Sequence, residues 1–167
     1  GLGDVYKRQL QQFQIVIKEE YGFIPKHALH EPWIFITSIF LHNSLIHLFY
    51  NLLAFLYFGI YLECTTGLKR WYILGVFLFA GIVGGFVSLM FGWKGVGASN
   101  AIAGLMGLLM LLEPTDFSGI IVEREDFLIV GTLWIIVGFI FGPAHITHLA
   151  GLLTGIFLGL VKNRSKF

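Results

Sequence analysis

Between Trp71 and Phe91 the chain carries no charged side chain. An α-helix needs about 20 such residues to cross the hydrocarbon core of a bilayer. In that medium every backbone N–H and C=O must be paired within the protein, so an isolated apolar run of this length is committed to a helix. Four further apolar runs repeat the signal: Leu45–Leu62, Ala98–Leu112, Phe127–Phe141 and Ile146–Val161. The last three are short, but each extends into its polar flanks, and all five are read as transmembrane helices. Composition agrees. Hydrophobic residues make up 56% and charged residues 13%, against about 25% charged in a soluble domain. The fold class is therefore all-α, a polytopic membrane helix bundle with the lipid bilayer as its surroundings.

Other bulk features exclude function classes. A net charge of +1 gives no electrostatic footprint for nucleic acid. Cys64, the single cysteine, leaves no intrachain disulfide and no cysteine-based metal motif. The stretch "GLGDVYKRQ" at residues 1–9 reads as a translated sequencing adaptor, so these residues are expected to be non-native and are set aside. "FQIVI" at Phe13–Ile17 reads as the tail of a truncated helix. Pro25, Pro32 and several charges then mark a loop, in which "WIFITSIF" is expected to form a short interfacial helix.

Basic residues orient the bundle. Lys69 and Arg70, Arg124, and Lys162, Arg164 and Lys166 fall on one side if the crossings alternate. Lys18, Lys26 and Lys94 fall on the other. The richer side, with the C-terminus, is assigned to the cytoplasm. Ser99 and the "GPAHITH" segment then lie toward the outer face, each at the start of an inward-running helix.

Three clusters carry chemistry. In "GVGASNAIAG", Ser99 at a helix start is either an N-cap or a nucleophile, and a nucleophile needs a base from another helix. His145 and His148 share a helix face. From His148 the chain reads His-x-x-Gly-x-x-x-Gly-x-x-x-Gly through Gly151, Gly155 and Gly159, a groove that admits a close helix. Gly97, Ala101 and Gly104 offer a matching small-residue face, which would bring Ser99 beside His148; the plainer reading is packing alone. In "LHNSLIHLFYN", His47 and Asn51 share a face, with His42 just upstream. They serve either as donors to a developing oxyanion or as interhelical hydrogen bonds. All three clusters fall near the predicted outer ends of their helices.

The stretch from "FIPKHALHEPWIF" through "AHITHLAGLLTGIFLGL" resembles the rhomboid family of intramembrane serine proteases. The resemblance rests on His47-x-x-x-Asn51, Glu63 with Gly67, Gly97-Ala98-Ser99, and His148-x-x-Gly151-x-x-x-Gly155. It implies a Ser99–His148 dyad without a third carboxylate and without a cofactor or metal. His47, Asn51 and the Ser99 N–H would hold the oxyanion. Gly97, His42 and His145 are possible modulators. Implied substrates are single-span transmembrane proteins cleaved near the outer face, in what is expected to be a prokaryotic plasma membrane. The family core has six helices, so residues 10–167 would be a rhomboid-like domain lacking most of the first. Two positions depart from the pattern. Asn100 stands where the family usually has glycine, and would either crowd the site or add a donor. Ala103 stands where the family often has an aromatic ring against the histidine.

Other classes were weighed. A catalytically inactive relative that binds client helices is the main alternative. A metal or haem centre would draw on His42, His47, His145 and His148, but no His-Glu-x-x-His motif is present. A channel or transporter would need a repeat or a mid-helix charge, and neither is present. The oligomeric state is not encoded in any of these features.

Overall fold

A computed structural model describes residues 2–112, 129, 133 and 145–164. The expected span Phe127–Phe141 lies, apart from those two positions, outside the described residues, as do Arg124 and Lys166. The described residues form α1 (Leu2–Tyr21), α2 (Ile34–Phe40), α3 (Leu45–Thr66), α4 (Arg70–Phe91), α5 (Ser99–Leu111) and α6 (His145–Arg164).

Local chemistry sets the helix ends. Ser44 caps α3, its hydroxyl accepting from the His47 N–H at 3.1 Å, which satisfies one orphan donor of the first turn. Gly67 ends α3 at φ 64° and Gly92 ends α4 at φ 69°, left-handed positions that glycine takes without steric cost. Glu63 and Arg70 join the α3 end to the α4 start through a 2.9 Å ion pair. The pair is exposed, so its contribution is small.

Three of the helices are long and apolar enough to cross a membrane: α3, α4 and, over His145–Asn163, α6. The third apolar run falls short of its expectation. It forms only the 13 residues of α5, about 20 Å of helix against a core of about 30 Å. It gains no length from its flanks, because Gly97 turns the chain at φ 124° before Ser99 and Leu112 leaves in an extended conformation. Within "WIFITSIF" the chain forms the short helix α2. Helix α1 runs on through the residues set aside at the N-terminus.

Helix α5 is the axis of the bundle. Ala101, Ile102, Ala103, Leu105 and Leu108 have no exposed surface, as expected of a helix apolar on every side. It lies parallel to α6 and antiparallel to α4, in a register set by glycines. A methyl group placed on Gly155 would collide with the Gly104 carbonyl oxygen and come within 2.8 Å of the Leu108 nitrogen. One on Gly107 would meet the Leu152 carbonyl oxygen and, at 3.0 Å, the Ile156 nitrogen. The two backbones thus touch directly, as small-residue interfaces in membranes allow. Asn163 completes the contact by donating from Nδ2 to the Leu111 carbonyl at 3.1 Å, pairing one of the open carbonyls at the α5 end.

The expected α5 face needs one correction. Ala103 and Gly107 meet α6, while Gly104 turns its carbonyl to Gly155 of α6 and its open side to Ala80 of α4. Ala101 instead packs against Gly81 of α4, and Gly97 meets His47. The residues at the helix start belong to a turn, so the spacing Gly97, Ala101, Gly104 does not run along one straight face.

The register predicts opposite outcomes for two glycine-to-alanine changes. Gly155→Ala should cost about 1–3 kcal/mol or more, since the obstruction is backbone and the helices must part. Gly59→Ala, where an added methyl meets nothing within 4 Å, should be neutral or stabilising by about 0.5–1 kcal/mol. Thermal unfolding of both variants in the same detergent measures the difference.

Candidate active site

The parallel register of α5 and α6 carries the first residues of both helices to the same level. Ser99 Oγ and His148 Nε2 lie 2.7 Å apart, within the range of a short O–H···N contact. His148 is buried, at 6% exposure. Ser99 is the first helical residue of α5 rather than its cap. The cap position is Ala98, with no side-chain cap bond. The N-cap reading of Ser99 is therefore incorrect, and its hydroxyl is engaged with the imidazole. His145 stands one turn earlier on α6 and is not the partner of Ser99 at this bond.

The turn before Ser99 is pinned on two sides. Phe23 and Gly95 form an antiparallel bridge, with N–H to carbonyl distances of 3.0 and 3.1 Å. The Gly97 N–H donates to the Ser38 carbonyl at 2.9 Å. Sequence reasoning missed this clasp because it joins distant backbone groups and leaves no side-chain signature.

His47 faces that turn. A methyl on Gly97 would lie 2.8 Å from His47 Cε1 and 3.1 Å from Nε2, so glycine is what lets the ring edge reach the backbone next to Ser99. The Asn43 N–H points at His47 Nδ1 at a long 3.5 Å, which favours the tautomer with its proton on Nε2. His42 packs edge-on against this ring, centroids 5.0 Å apart. Its Nδ1–H donates to the Phe40 carbonyl at 3.2 Å. Burial pushes the His42 imidazole below its ordinary pKa, so at neutral pH it stands uncharged beside His47.

Asn51 is placed differently from its expected partners. It is buried at 5% exposure, and its Nδ2 donates to the His47 carbonyl one turn back at 2.8 Å. Its Oδ1 is buried with no hydrogen-bond partner among the described residues. Asn51 thus braces the α3 turn that carries His47, and its amide keeps a second N–H.

Asn100 neither crowds His148 nor blocks α6. Its side chain lies toward α4, where a methyl on Gly84 would come within 2.7 Å of its Cβ and Cγ. Its backbone carbonyl meets Gly151 on α6. Ala103 is fully buried, with its Cβ against Gly151, one turn from His148. A cavity of about 100 Å³ opens beside Ser99, walled in part by Ser38, Ser88, Asn100 and Thr147. Sequence reasoning passed over Ser38, Ser88 and Thr147. The signal was there, a small polar residue inside an apolar stretch, but it is too common to single one out. Among the described residues no three His, Cys, Asp or Glu side chains are placed to hold a metal ion.

Comparison with known proteins bears on the same segments. The family model for the Rhomboid domain matches residues 29–165. RHOMBOID-like protein 6, mitochondrial, of Arabidopsis thaliana is 34% identical over 137 residues, 79% of this chain and 44% of that protein. Rhomboid protease GlpG of Salmonella newport (strain SL254) is 34% identical over 138 residues, 78% of this chain and 49% of that protein. The Salmonella typhi protein of the same name matches to the same extent. The chain spans about half the length of these relatives. With three helices apolar enough to span, the match makes this a multi-pass integral membrane protein.

The contact between Asn100 and Gly84 predicts coupling between them. Gly84→Ala should cost about 1–3 kcal/mol in the native chain, as overpacking does. In an Asn100→Gly background the same change should cost under about 0.5 kcal/mol, as uncoupled surface changes do. A double-mutant cycle read by thermal unfolding gives the interaction energy, and additivity would contradict the contact.

Proposed function

The chain belongs to the rhomboid family, and on that premise we propose that it is an intramembrane serine endopeptidase that cuts single-span transmembrane proteins near the outer membrane face. The observation that carries this reading is the 2.7 Å approach of Ser99 Oγ to His148 Nε2, which puts a base within reach of a hydroxyl nucleophile.

The roles follow from the positions. The Ser99 oxygen attacks the scissile carbonyl carbon while His148 Nε2 takes the hydroxyl proton. The new C–O bond converts the carbonyl to a tetrahedral oxyanion. His47 Nε2–H and the Ser99 N–H are the donors proposed to face it; Asn51 supports His47 and has one amide N–H left to contribute. As the C–N bond breaks, His148 returns the proton to the leaving amine. Water then attacks the acyl-enzyme carbonyl and gives a proton to His148; the bond from that carbon to Ser99 Oγ breaks, His148 returns the proton to Oγ, and the acid product departs. The polar cavity beside Ser99 suits the water this second step consumes. By the distribution of basic residues the C-terminus is cytoplasmic and the dyad lies toward the opposite face.

A fluorophosphonate probe tests the nucleophile. The native chain should label at Ser99, and Ser99→Ala should not. His148→Ala should lower labelling and cleavage of a reconstituted single-span substrate by about 10³-fold or more. Absence of labelling in a folded native chain would favour the inactive client-binding relative instead.

Loss of an oxyanion donor should be milder. His47→Ala should lower kcat by about 10²–10³-fold with little change in thermal stability, measured by single-turnover cleavage in proteoliposomes. An unchanged kcat would remove His47 from the site.

A further inference from the structure

Several contacts fix where the His47 ring lies, but a single bond decides which of its nitrogens carries the proton. Among the described residues the ring has one hydrogen-bond partner, the Asn43 N–H at Nδ1. An imidazole whose Nδ1 accepts holds its proton on Nε2, the ring nitrogen nearer the Gly97 turn. At 3.5 Å this bond is at the limit of the useful range, so a small shift of Asn43 removes it.

Asn43 is held in turn by a distant part of the chain. It lies between α2 and α3, and Lys18 of α1 donates from Nζ to its carbonyl at 3.3 Å. The end of α1 is anchored to the other half of the site. The Thr37 hydroxyl of α2 donates to the Tyr21 carbonyl at 2.6 Å, and Phe23 pairs with Gly95 ahead of the Ser99 turn. Lys18 therefore reaches Asn43 from a segment tied to the Ser99 side. Between the two sides is a cavity of about 320 Å³, bordered by Lys18 and Asn43 and, opposite in the sequence, by Lys94, Gly95 and Val96. A loop that borders open space is held on that side by its polar bonds rather than by packing.

The consequence of losing the tether is chemical. With Asn43 free to move, Nδ1 loses its donor and the proton divides between the two nitrogens. A ring protonated on Nδ1 presents a lone pair from Nε2, which repels an oxyanion instead of donating to it.

We propose that Lys18 is a positioning residue for His47: its ammonium holds the Asn43 loop, whose N–H keeps the His47 proton on Nε2. This inference rests on the reading of His47 as an oxyanion donor.

The test compares Lys18→Met, which keeps the side-chain length and removes the donor, with Lys18→Arg, which keeps a charged donor. Both are read by steady-state cleavage of a single-span substrate in proteoliposomes. Lys18→Met should lower kcat about fivefold with KM within about twofold of native, and Lys18→Arg should restore kcat to within about twofold. In a His47→Ala background Lys18→Met should change kcat by less than about 1.5-fold, because the two residues act through one bond. A native kcat in Lys18→Met, or equal losses in both backgrounds, would overturn the proposal. A second measurement needs no cleavage: nitrogen NMR of the Ser99→Ala chain, labelled at histidine and assigned with His47→Ala. The His47 ring should be protonated on Nε2, and adding Lys18→Met should move its two nitrogen signals toward each other as both tautomers become populated. If the native chain cleaves nothing, the protease reading fails, and an unchanged His47 tautomer in Lys18→Met would then overturn the role of Lys18 separately.

Discussion

The rest of the site depends on the backbone contact between α5 and α6. Ser99 and His148 lie on different helices, far apart in sequence, and no covalent or metal link is seen to fix their spacing. What sets it is that Gly107, Gly151 and Gly155 have no side chains to keep the helices apart. In a bilayer the lipid tails are as apolar as leucine, so association rests on close packing rather than on hydrophobic exclusion. A rigid backbone-to-backbone register is then a better ruler than interdigitated side chains, which can change rotamer. The 2.7 Å separation of Ser99 Oγ and His148 Nε2 is the reading at one end of that ruler. The Asn163–Leu111 bond is a reading at the other.

The second frame is polar and local. Helix α5 begins only after a glycine turn whose backbone is tied to Phe23 and Ser38. The same turn has no Cβ at Gly97, and His47 occupies the room this leaves. Its orientation is held from behind by His42 and from below by the Asn51 bond to its carbonyl. His47 reaches the turn before Ser99 because Gly97, His42 and Asn51 each remove one of its freedoms.

The membrane character, the paired clusters and the approach of Ser99 to His148 were legible in the sequence because each leaves a periodic or compositional mark. Glycines spaced by four announce a groove wherever it leads. A capping role for Ser99 is hard to tell from a nucleophilic one because such serines occupy nearly the same place in a sequence. Here Ser99 is the first residue of the helix and its hydroxyl meets His148. The length of α5 is overestimated because the apolar run is extended into its polar flanks, and at Gly97 the chain turns instead of continuing the helix. The small-residue face is misplaced because Gly97 stands in the turn before the helix and Ala101 faces Gly81 of α4. The seat of Asn100 on Gly84 was invisible because it needs the α4–α5 register, and α4 offers Gly81, Gly84 and Gly85 as equally plausible seats.

That seat changes how a departure from the family pattern should be weighed. A side chain after Ser99 disturbs the Ser99–His148 contact only if it points at the histidine. Here it points at a helix that has a glycine to receive it, and the Asn100 carbonyl still meets Gly151 as the close α5–α6 packing requires. The same register ties the parts together: parting α5 from α6 would part Ser99 from His148, and parting α5 from α4 would unseat Asn100.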